Sequence, residues 1–155
     1  MKRQQGFGAI AAIVVLVILA LLAAAIVSIS TAQQITSAQD VMSARAWQAA
    51  RAGNDWGLYK ALKAESWTAT AGESCDTANR SATLDISADT GFHVTVTCDS
   101  WSYSEGESAP GTANVVRMYR ITAVACPAAA CPSPDATVVA GDGYVERTRV
   151  VLATN

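Results

Sequence analysis

The chain has 155 residues, of which 51% are hydrophobic and 15% charged, and its formal net charge at pH 7 is −2. This length accommodates one modest globular domain rather than two. Lys2 and Arg3 lie at the extreme N-terminus, and the rest of the chain carries nine basic and thirteen acidic residues, a net charge of −4. Because no basic patch remains that could neutralise a run of phosphates, the composition argues against nucleic-acid binding.

An uncharged apolar segment of 23 residues occupies positions 7–29. Since about 20 apolar residues span the hydrocarbon core of a bilayer, the segment predicts a transmembrane helix. It is too long for the apolar core of a secretory signal peptide, and it continues without a turn into helix-forming sequence. Lys2 and Arg3 precede the segment, and basic residues stay on the cytoplasmic side. We therefore predict a single pass through a membrane, with a cytoplasmic N-terminus and an exported C-terminal domain.

The residues in front of the apolar segment read KRQQG at positions 2–6 and are followed directly by Phe7. A short basic leader that ends in Gly, then Phe, then an unbroken apolar stretch resembles the class III signal of type IV prepilins. The resemblance implies that residues 1–6 are a leader, that prepilin peptidase cuts between Gly6 and Phe7, and that Phe7 is then methylated. It also implies that the membrane is the inner membrane and that the C-terminal domain is periplasmic. Other pilin subunits are then partners of the N-terminal helix, and the mature protein reaches a pilus at the cell surface.

Ala11 departs from the pattern of this family. Most pilins carry Glu at this position, and in the family's fibres that carboxylate pairs with the N-terminal amine of a neighbouring subunit. An unpaired charge in an apolar core is costly, so the Glu helps to set the subunit register. Ala11 cannot make this contact. The departure argues against a major, repeating subunit and favours a minor pilin at the fibre tip; the alternative is that packing alone suffices.

One long helix is predicted next, because there is neither Pro nor Gly between Gly8 and Gly53. No turn signal separates the apolar run from the polar sequence that follows it. We predict a helix over about 7–63, with residues 7–30 in the membrane or fibre core and residues 31–64 amphipathic. At 1.5 Å per residue such a helix is roughly 85 Å long.

A stripe of residues at mostly three- and four-residue intervals is predicted to pack the amphipathic part of this helix on a sheet. The stripe comprises Ile35, Val41 or Met42, Trp47, Ala50, Asn54, Leu58 and Leu62. Trp47 and Trp56 are predicted to lie in the core, because buried aromatic side chains contribute large burial energies.

Residues 46–62 read AWQAARAGNDWGLYKAL. This stretch is similar to the helix of pilin-like proteins encoded with mannose-sensitive haemagglutinin (MSHA) type pili, in particular the MshP-like family. The resemblance covers residues 1 to about 63. It implies a type IV pilin fold and a minor pilin that takes part in pilus assembly and initiates or caps the fibre. Two alternatives stay open: a minor pseudopilin of a type II secretion system, and a membrane-anchored periplasmic binding or adhesin module.

The remainder, residues 65–155, changes to a period of two and to strand-forming residues. We predict an α+β fold in which a meander of about four antiparallel strands lies on the helix. The predicted strands are 81–88, 91–100, 115–125 and 143–154, with a tight hairpin turn at the DTG of 89–91. Two long stretches, 99–114 and 125–143, are predicted to be exposed loops that could contact partners.

Four cysteines lie in this part of the chain: Cys75, Cys98, Cys126 and Cys131. Their spacings match neither a zinc ribbon nor a redox CxxC motif, so no metal site is predicted. An even number of cysteines in an exported domain predicts two disulfides. Three connectivities are possible, and we favour Cys75–Cys98 with Cys126–Cys131 because both close short loops.

No motif for catalysis is present. His93 is the only histidine, and its position within a predicted strand favours an ordinary exposed or hydrogen-bonded side chain. The sequence contains no P-loop, GxGxxG or HExxH motif, and the acidic residues of the two loops lack EF-hand spacing. We therefore predict neither enzymatic activity nor a bound cofactor or metal.

Overall fold

The computed structural model describes residues 6–67, 72 and 74–155, and for residues 6, 7 and 28–32 it describes the backbone alone. The elements follow in the order α1 (Gly6–Leu62), β1 (Arg80–Ile86), α2 (Ser87–Thr90), β2 (Phe92–Ala109), β3 (Thr112–Cys126), α3 (Ala136–Val139) and β4 (Arg147–Thr154). The fold is α+β, as predicted, with a long N-terminal helix and a four-stranded antiparallel sheet.

The chain forms two compact units, Met1–Asp40 and Val41–Asn155. The boundary falls inside the part of α1 that the sequence marks as amphipathic. The first unit contains the apolar part of α1. The second contains the rest of α1 together with the sheet, and it holds the hydrophobic core.

α1 ends at Leu62, one residue before the predicted end. Ala64 then adopts a left-handed conformation with φ of 50°, and the amide of Glu65 donates to the carbonyl of Lys60 at 3.0 Å. The Lys60 ammonium also lies 3.2 Å from the Glu65 carboxylate. These contacts satisfy carbonyls that the end of a helix leaves unpaired.

The sheet is a simple meander in which each strand pairs with the next in the sequence, in the order β1-β2-β3-β4. Val94 of β2 lies opposite Leu84 of β1, and Ile121 of β3 lies opposite Val151 of β4. Alternate residues of β2 and β3 are fully buried against α1, and the intervening residues face the other side. This alternation is the period-two pattern that identified the strands.

The predicted loop over 99–114 is wrong. β2 continues to Ala109 and β3 begins at Thr112, so this stretch is a paired hairpin with a turn at Pro110 and Gly111. Gly111 has a φ of 79°, a conformation that favours glycine. The stretch lacks aliphatic residues in β2, and the alternation there is between Ser and aromatic or acidic residues, which hid its period of two.

The predicted tight turn at 89–91 is replaced by one turn of helix, α2. The amide of Gly91 donates to the carbonyl of Ser87 at 2.9 Å, and Gly91 has a φ of 81°. The chain therefore does reverse between β1 and β2, but over four helical residues. The fourth strand is also shorter than predicted, since β4 begins at Arg147 rather than at residue 143.

The face of α1 that packs on the sheet consists of small residues. It is formed by Ala46, Ala49, Ala50, Gly53, Asn54, Gly57 and Ala61, all of which are buried. A Cβ placed on Gly53 would lie 2.6 Å from Cγ1 of Val94, so the helix backbone is in close contact with β2. Because of this close approach only small side chains fit between helix and sheet.

The predicted packing stripe is therefore correct only in part. Ala50 and Asn54 are buried and Met42 and Leu58 are half-buried, but Ile35, Val41, Trp47 and Leu62 are exposed. The prediction selected large apolar residues as the inward face. The signal it missed is the pair Gly53 and Gly57, whose four-residue spacing places both on one face of a helix.

The two tryptophans of this part of the helix differ. Trp56 is partly buried against the core, with its ring edge-to-face with Trp67 at a centroid separation of 5.0 Å. Trp47 is 46% exposed. Core packing is thus confirmed for Trp56, whereas the prediction for Trp47 is wrong because that residue lies outside the small-residue face.

Candidate assembly interface

The N-terminal part of α1 is an apolar surface without cover. Gly8–Val27 is a run of 20 residues with a mean hydropathy of 3.4, and none of it is buried. Its large apolar side chains, the Ile, Val and Leu residues from position 10 to position 27, are each between 51 and 67% exposed. Soluble monomers rarely expose so large an apolar patch. By length and composition this helix can cross a membrane.

The predicted processing site lies at the start of this helix. α1 begins at Gly6, and Phe7 follows in its first turn. Residues 1–5 of the predicted leader lie outside the described residues, so cleavage after Gly6 and methylation of Phe7 stay predictions.

Ala11 lies on the exposed apolar segment and carries only a methyl group. No residue of 8–27 is charged. Within that segment the side chains therefore supply no group for an ion pair with a neighbouring subunit. Contacts made by this surface have to come from apolar packing.

In the second unit, two arginines of β4 hold the strand against α1. Arg147 donates from Nε and Nη2 to the Ser43 hydroxyl oxygen, at 3.0 and 2.6 Å. The Arg149 guanidinium lies 4.4 Å from the ring centroid of Trp47. Ser43 and Trp47 are one helical turn apart, and the arginines alternate along β4, so the two contacts lie side by side. They take the place of aliphatic packing at this edge of the core.

The structure contains the disulfides Cys75–Cys98 and Cys126–Cys131, with Cα separations of 6.1 and 5.6 Å. This is the connectivity that the short loops favour. Each separation falls in the ordinary range for a disulfide. The first bond ties the segment before β1 to β2, and the second closes the chain immediately after β3.

Hydrogen bonds reinforce the first disulfide. The Tyr119 hydroxyl donates to Oδ1 of Asp76, and the Ser100 hydroxyl donates to the carbonyl of Cys75. Burial raises the pKa of the Tyr119 hydroxyl above its ordinary value, and the hydrogen bond to the Asp76 carboxylate raises that pKa further. The neutral phenol is thus part of the attachment between this segment and β3.

Asp85 brings a serine and the histidine together at the β1–β2 connection. Ser87 donates from Oγ to Oδ1 of Asp85 at 2.6 Å, and Nε2 of His93 lies 3.4 Å from the same oxygen. In a catalytic triad the histidine stands between the serine and the carboxylate. Here the carboxylate stands between them, and the Ser87 hydrogen bond lowers the pKa of Asp85. The arrangement does not activate Ser87 as a nucleophile. Nε2 of His93 faces the Asp85 carboxylate, whereas its Nδ1 is buried and has no hydrogen-bond partner among the described residues.

Two acidic residues near the chain's turns, Glu107 and Asp135, have structural partners. Glu107 accepts from the amide of Gly111 at 3.1 Å, which closes the hairpin turn. Asp135 caps α3 by accepting from the amide of Thr137 at 2.8 Å, and its hydrogen bonds with Thr137 lower its pKa. Over the described residues, no group of three or more His, Cys, Asp or Glu side chains is arranged to hold a metal ion.

Comparison with known proteins gives no match: no protein-family model, no curated protein and no solved structure matches this chain. The family resemblance therefore stands on the residues already quoted, namely the leader with its Gly6-Phe7 junction and the helix sequence of residues 46–62.

Proposed function

We propose that the chain is a minor subunit of a type IV pilus, similar to the pilin-like proteins of MSHA-type pili, with a type IV pilin fold. One observation carries the proposal. The uncharged, fully exposed segment Gly8–Val27 begins directly after the Gly6-Phe7 junction, at the start of the helix whose later residues pack on a disulfide-linked sheet. This arrangement supports an anchor that is cut free of its leader and then packs with other subunits.

The physical requirement is an apolar environment for the exposed segment at each stage. Before assembly the bilayer supplies it, and after assembly the helices of neighbouring subunits do. Gly8, Ala12, Ala20 and Ala24 lie at multiples of four residues. Small residues at this spacing allow helices to approach closely. The two disulfides suit a domain that folds in an oxidising compartment outside the cytoplasm.

Processing is tested by mass spectrometry of the mature N-terminus in cells with and without prepilin peptidase. We expect a mature chain that starts at methylated Phe7 only when the peptidase is present. Gly6→Leu should block cleavage, because a bulky residue replaces the small one at the cut. Gly8→Leu, two residues beyond the cut, is the matched control and should be processed normally. Recovery of Met1 on the wild-type chain in the presence of active peptidase would contradict the proposal.

A minor role, at the tip or in initiation, is proposed from Ala11. Counting this chain against the major subunit in sheared surface fibres should give a ratio far below one. Ala11→Glu restores the family's carboxylate and should move the subunit into the shaft or change the number of fibres. An Ala11→Gln variant of similar size without the charge should not. If deletion of the gene abolishes secretion of enzymes and leaves surface fibres intact, the chain is a pseudopilin of type II secretion instead.

A further inference from the structure

The hairpin formed by β2 and β3 extends beyond the rest of the sheet. β1 pairs only with residues 92–98 of β2, and β4 pairs only with residues 118–125 of β3. Residues 101–116, which we call the arm, are therefore a two-stranded ribbon. α1 does not reach them: Gly57 lies against Val96 of β2, and the helix ends five residues later, a rise of roughly 8 Å or about two strand residues.

Among the described residues, no strand pairs with the edge of the arm on the β2 side. The amide of Ser100 donates outward to Oδ1 of Asn79 at 3.3 Å. In an antiparallel strand every second residue directs its amide and carbonyl to the same side, so Ser102 and Ser104 direct theirs outward as Ser100 does. No strand in the described part of the chain pairs with Ser102 or Ser104 on that side.

Over residues 101–104 this edge lacks the features that usually prevent strand addition, which are charged side chains, Pro and bulges. Irregular pairing occurs only further along the arm, between Ser104 and Glu107 and between Glu107 and Ala109. Residues 101–104 are regularly paired with β3 and contain neither charge nor Pro. A regular, unprotected edge of this kind is where extended peptides add to a sheet.

The side chains of the arm indicate the chemistry of a partner. Trp101 and Tyr103 lie on the same face and are 41% and 36% exposed. The charged residues among 101–116 are Glu105 and Glu107 alone. The nearby Arg120 does not neutralise them, because it pairs with Asp99 at 2.7 Å and lies over the Trp101 ring. Arg117, opposite Ser102 on β3, donates to the Ser100 hydroxyl at 3.3 Å, and Glu107 accepts from the Gly111 amide. A strand that adds here therefore meets two aromatic rings and then the carboxylate of Glu105.

We propose that the β2 edge of the arm binds an extended, basic peptide segment of a partner protein by strand addition. The segment's backbone pairs with Ser102 and Ser104, its alternate apolar side chains pack on Trp101 and Tyr103, and a Lys or Arg meets Glu105. This inference goes beyond the pilus role and does not depend on it, since it concerns a surface in the second unit alone.

The test uses the full chain in detergent micelles and fluorescently labelled ten-residue peptides. The probe alternates Val and Lys, and its matched control alternates Val and Glu. A third peptide has the Val–Lys sequence with alternate amides N-methylated, which removes the donors a strand needs. Fluorescence anisotropy should show binding of the Val–Lys peptide. The other two peptides should bind with an affinity at least about tenfold lower. Absence of Val–Lys binding at about 1 mM, or equal binding of all three, would overturn the proposal.

Two proline variants locate the binding edge. Ser102→Pro removes an outward amide from β2, whereas Val115→Pro removes one from the β3 edge of the same arm. Val115 directs its amide outward because Arg117, two residues on, pairs outward with Asn155. Ser102→Pro should weaken Val–Lys binding about tenfold and Val115→Pro should leave it within about twofold. Glu105→Gln, which keeps the backbone, should reduce the preference for Lys over Glu. Equal effects of both prolines, with Glu105→Gln silent, would refute strand addition at this edge.

Discussion

Gly57 of α1 is in direct contact with Ile121 of β3: a Cβ on Gly57 would lie 2.6 Å from Cγ2 of Ile121 and 2.9 Å from Cγ1 of Val96. Carbon atoms that are not bonded pack at about 3.5–4.0 Å. The backbone of the helix therefore rests on the side chains of the sheet, and this position has no room for even a methyl group.

Gly57→Ala should destabilise the domain. Overpacking a core costs about 1–3 kcal/mol, which exceeds the gain of about 1 kcal/mol that Ala brings to a helix interior. We expect a net loss of up to about 2 kcal/mol in the free energy of unfolding, measured by urea titration of the full chain in micelles with tryptophan fluorescence as the signal. Gly8→Ala is the control, because a Cβ there has no atom within 4 Å. Equal stability of the Gly57→Ala variant and wild type would show that the helix can move away from the sheet.

The two disulfides should contribute unequally. They close loops with sequence separations of 23 and 5 residues. In the chain-entropy model, these lengths correspond to about 3 and about 2 kcal/mol of stabilisation. Unfolding of Cys75→Ser/Cys98→Ser and of Cys126→Ser/Cys131→Ser, compared under the same conditions, should therefore show the larger loss for the first pair. The reverse order would mean that contacts within the native loops, rather than the entropy of the unfolded chain, decide which disulfide contributes more to stability.

Tyr119 should make the domain less stable at alkaline pH. Its pKa is raised above 10.0 in the folded protein, chiefly by burial and then by Asp76. The unfolded chain therefore loses this proton first, and stability declines as the pH rises from about 10 through the folded pKa. Tyr119→Phe should cost about 1.5–3 kcal/mol near neutral pH, because the bond to a carboxylate is lost, and should flatten the alkaline decline. Tyr103→Phe, at an exposed position, serves as the control and should keep the wild-type pH profile.

Trp47 and Arg149 should be energetically coupled. Their separation of 4.4 Å is within the range of a cation–π contact, which at exposed sites contributes about 0.5–1 kcal/mol. A double-mutant cycle of Trp47→Ala and Arg149→Ala on the free energy of unfolding should return a coupling of that size. The control cycle combines Trp47→Ala with Arg120→Ala, since Arg120 lies over a different ring, that of Trp101. An equally large coupling energy in the control cycle would mean that the cycle measures a general loss of packing in the domain rather than the contact between Trp47 and Arg149.

The elements that sequence could predict are those with a strong period. The prediction of the long helix was accurate to one residue at each end because neither Pro nor Gly lies between Gly8 and Gly53. The sheet was found because residues such as Phe92, Val94 and Val96 alternate with polar ones. The arm was missed because Ser alternates there with Trp, Tyr and Glu, a pattern without aliphatic residues.

The prediction of which face of α1 packs on the sheet failed for a different reason. Burial there selects for small size, since the helix backbone approaches the sheet at Gly53 and Gly57. A search for large apolar residues therefore misses the small residues buried there, such as Ala46, Gly53 and Gly57. The cysteine pairing could be argued from loop length alone, whereas the contacts of Arg147 and Arg149 with α1 depend on how β4 lies beside the helix, which no local pattern reports.

The small-residue face of α1 reverses the usual distribution of side-chain size around a surface helix. On this part of α1, Trp47, Tyr59 and Leu62 are about half exposed, whereas Trp56 and Leu58 pack partly against the core. A molecule that lies alongside this part of the helix therefore meets aromatic and aliphatic side chains among polar ones such as Arg45, Gln48 and Arg51.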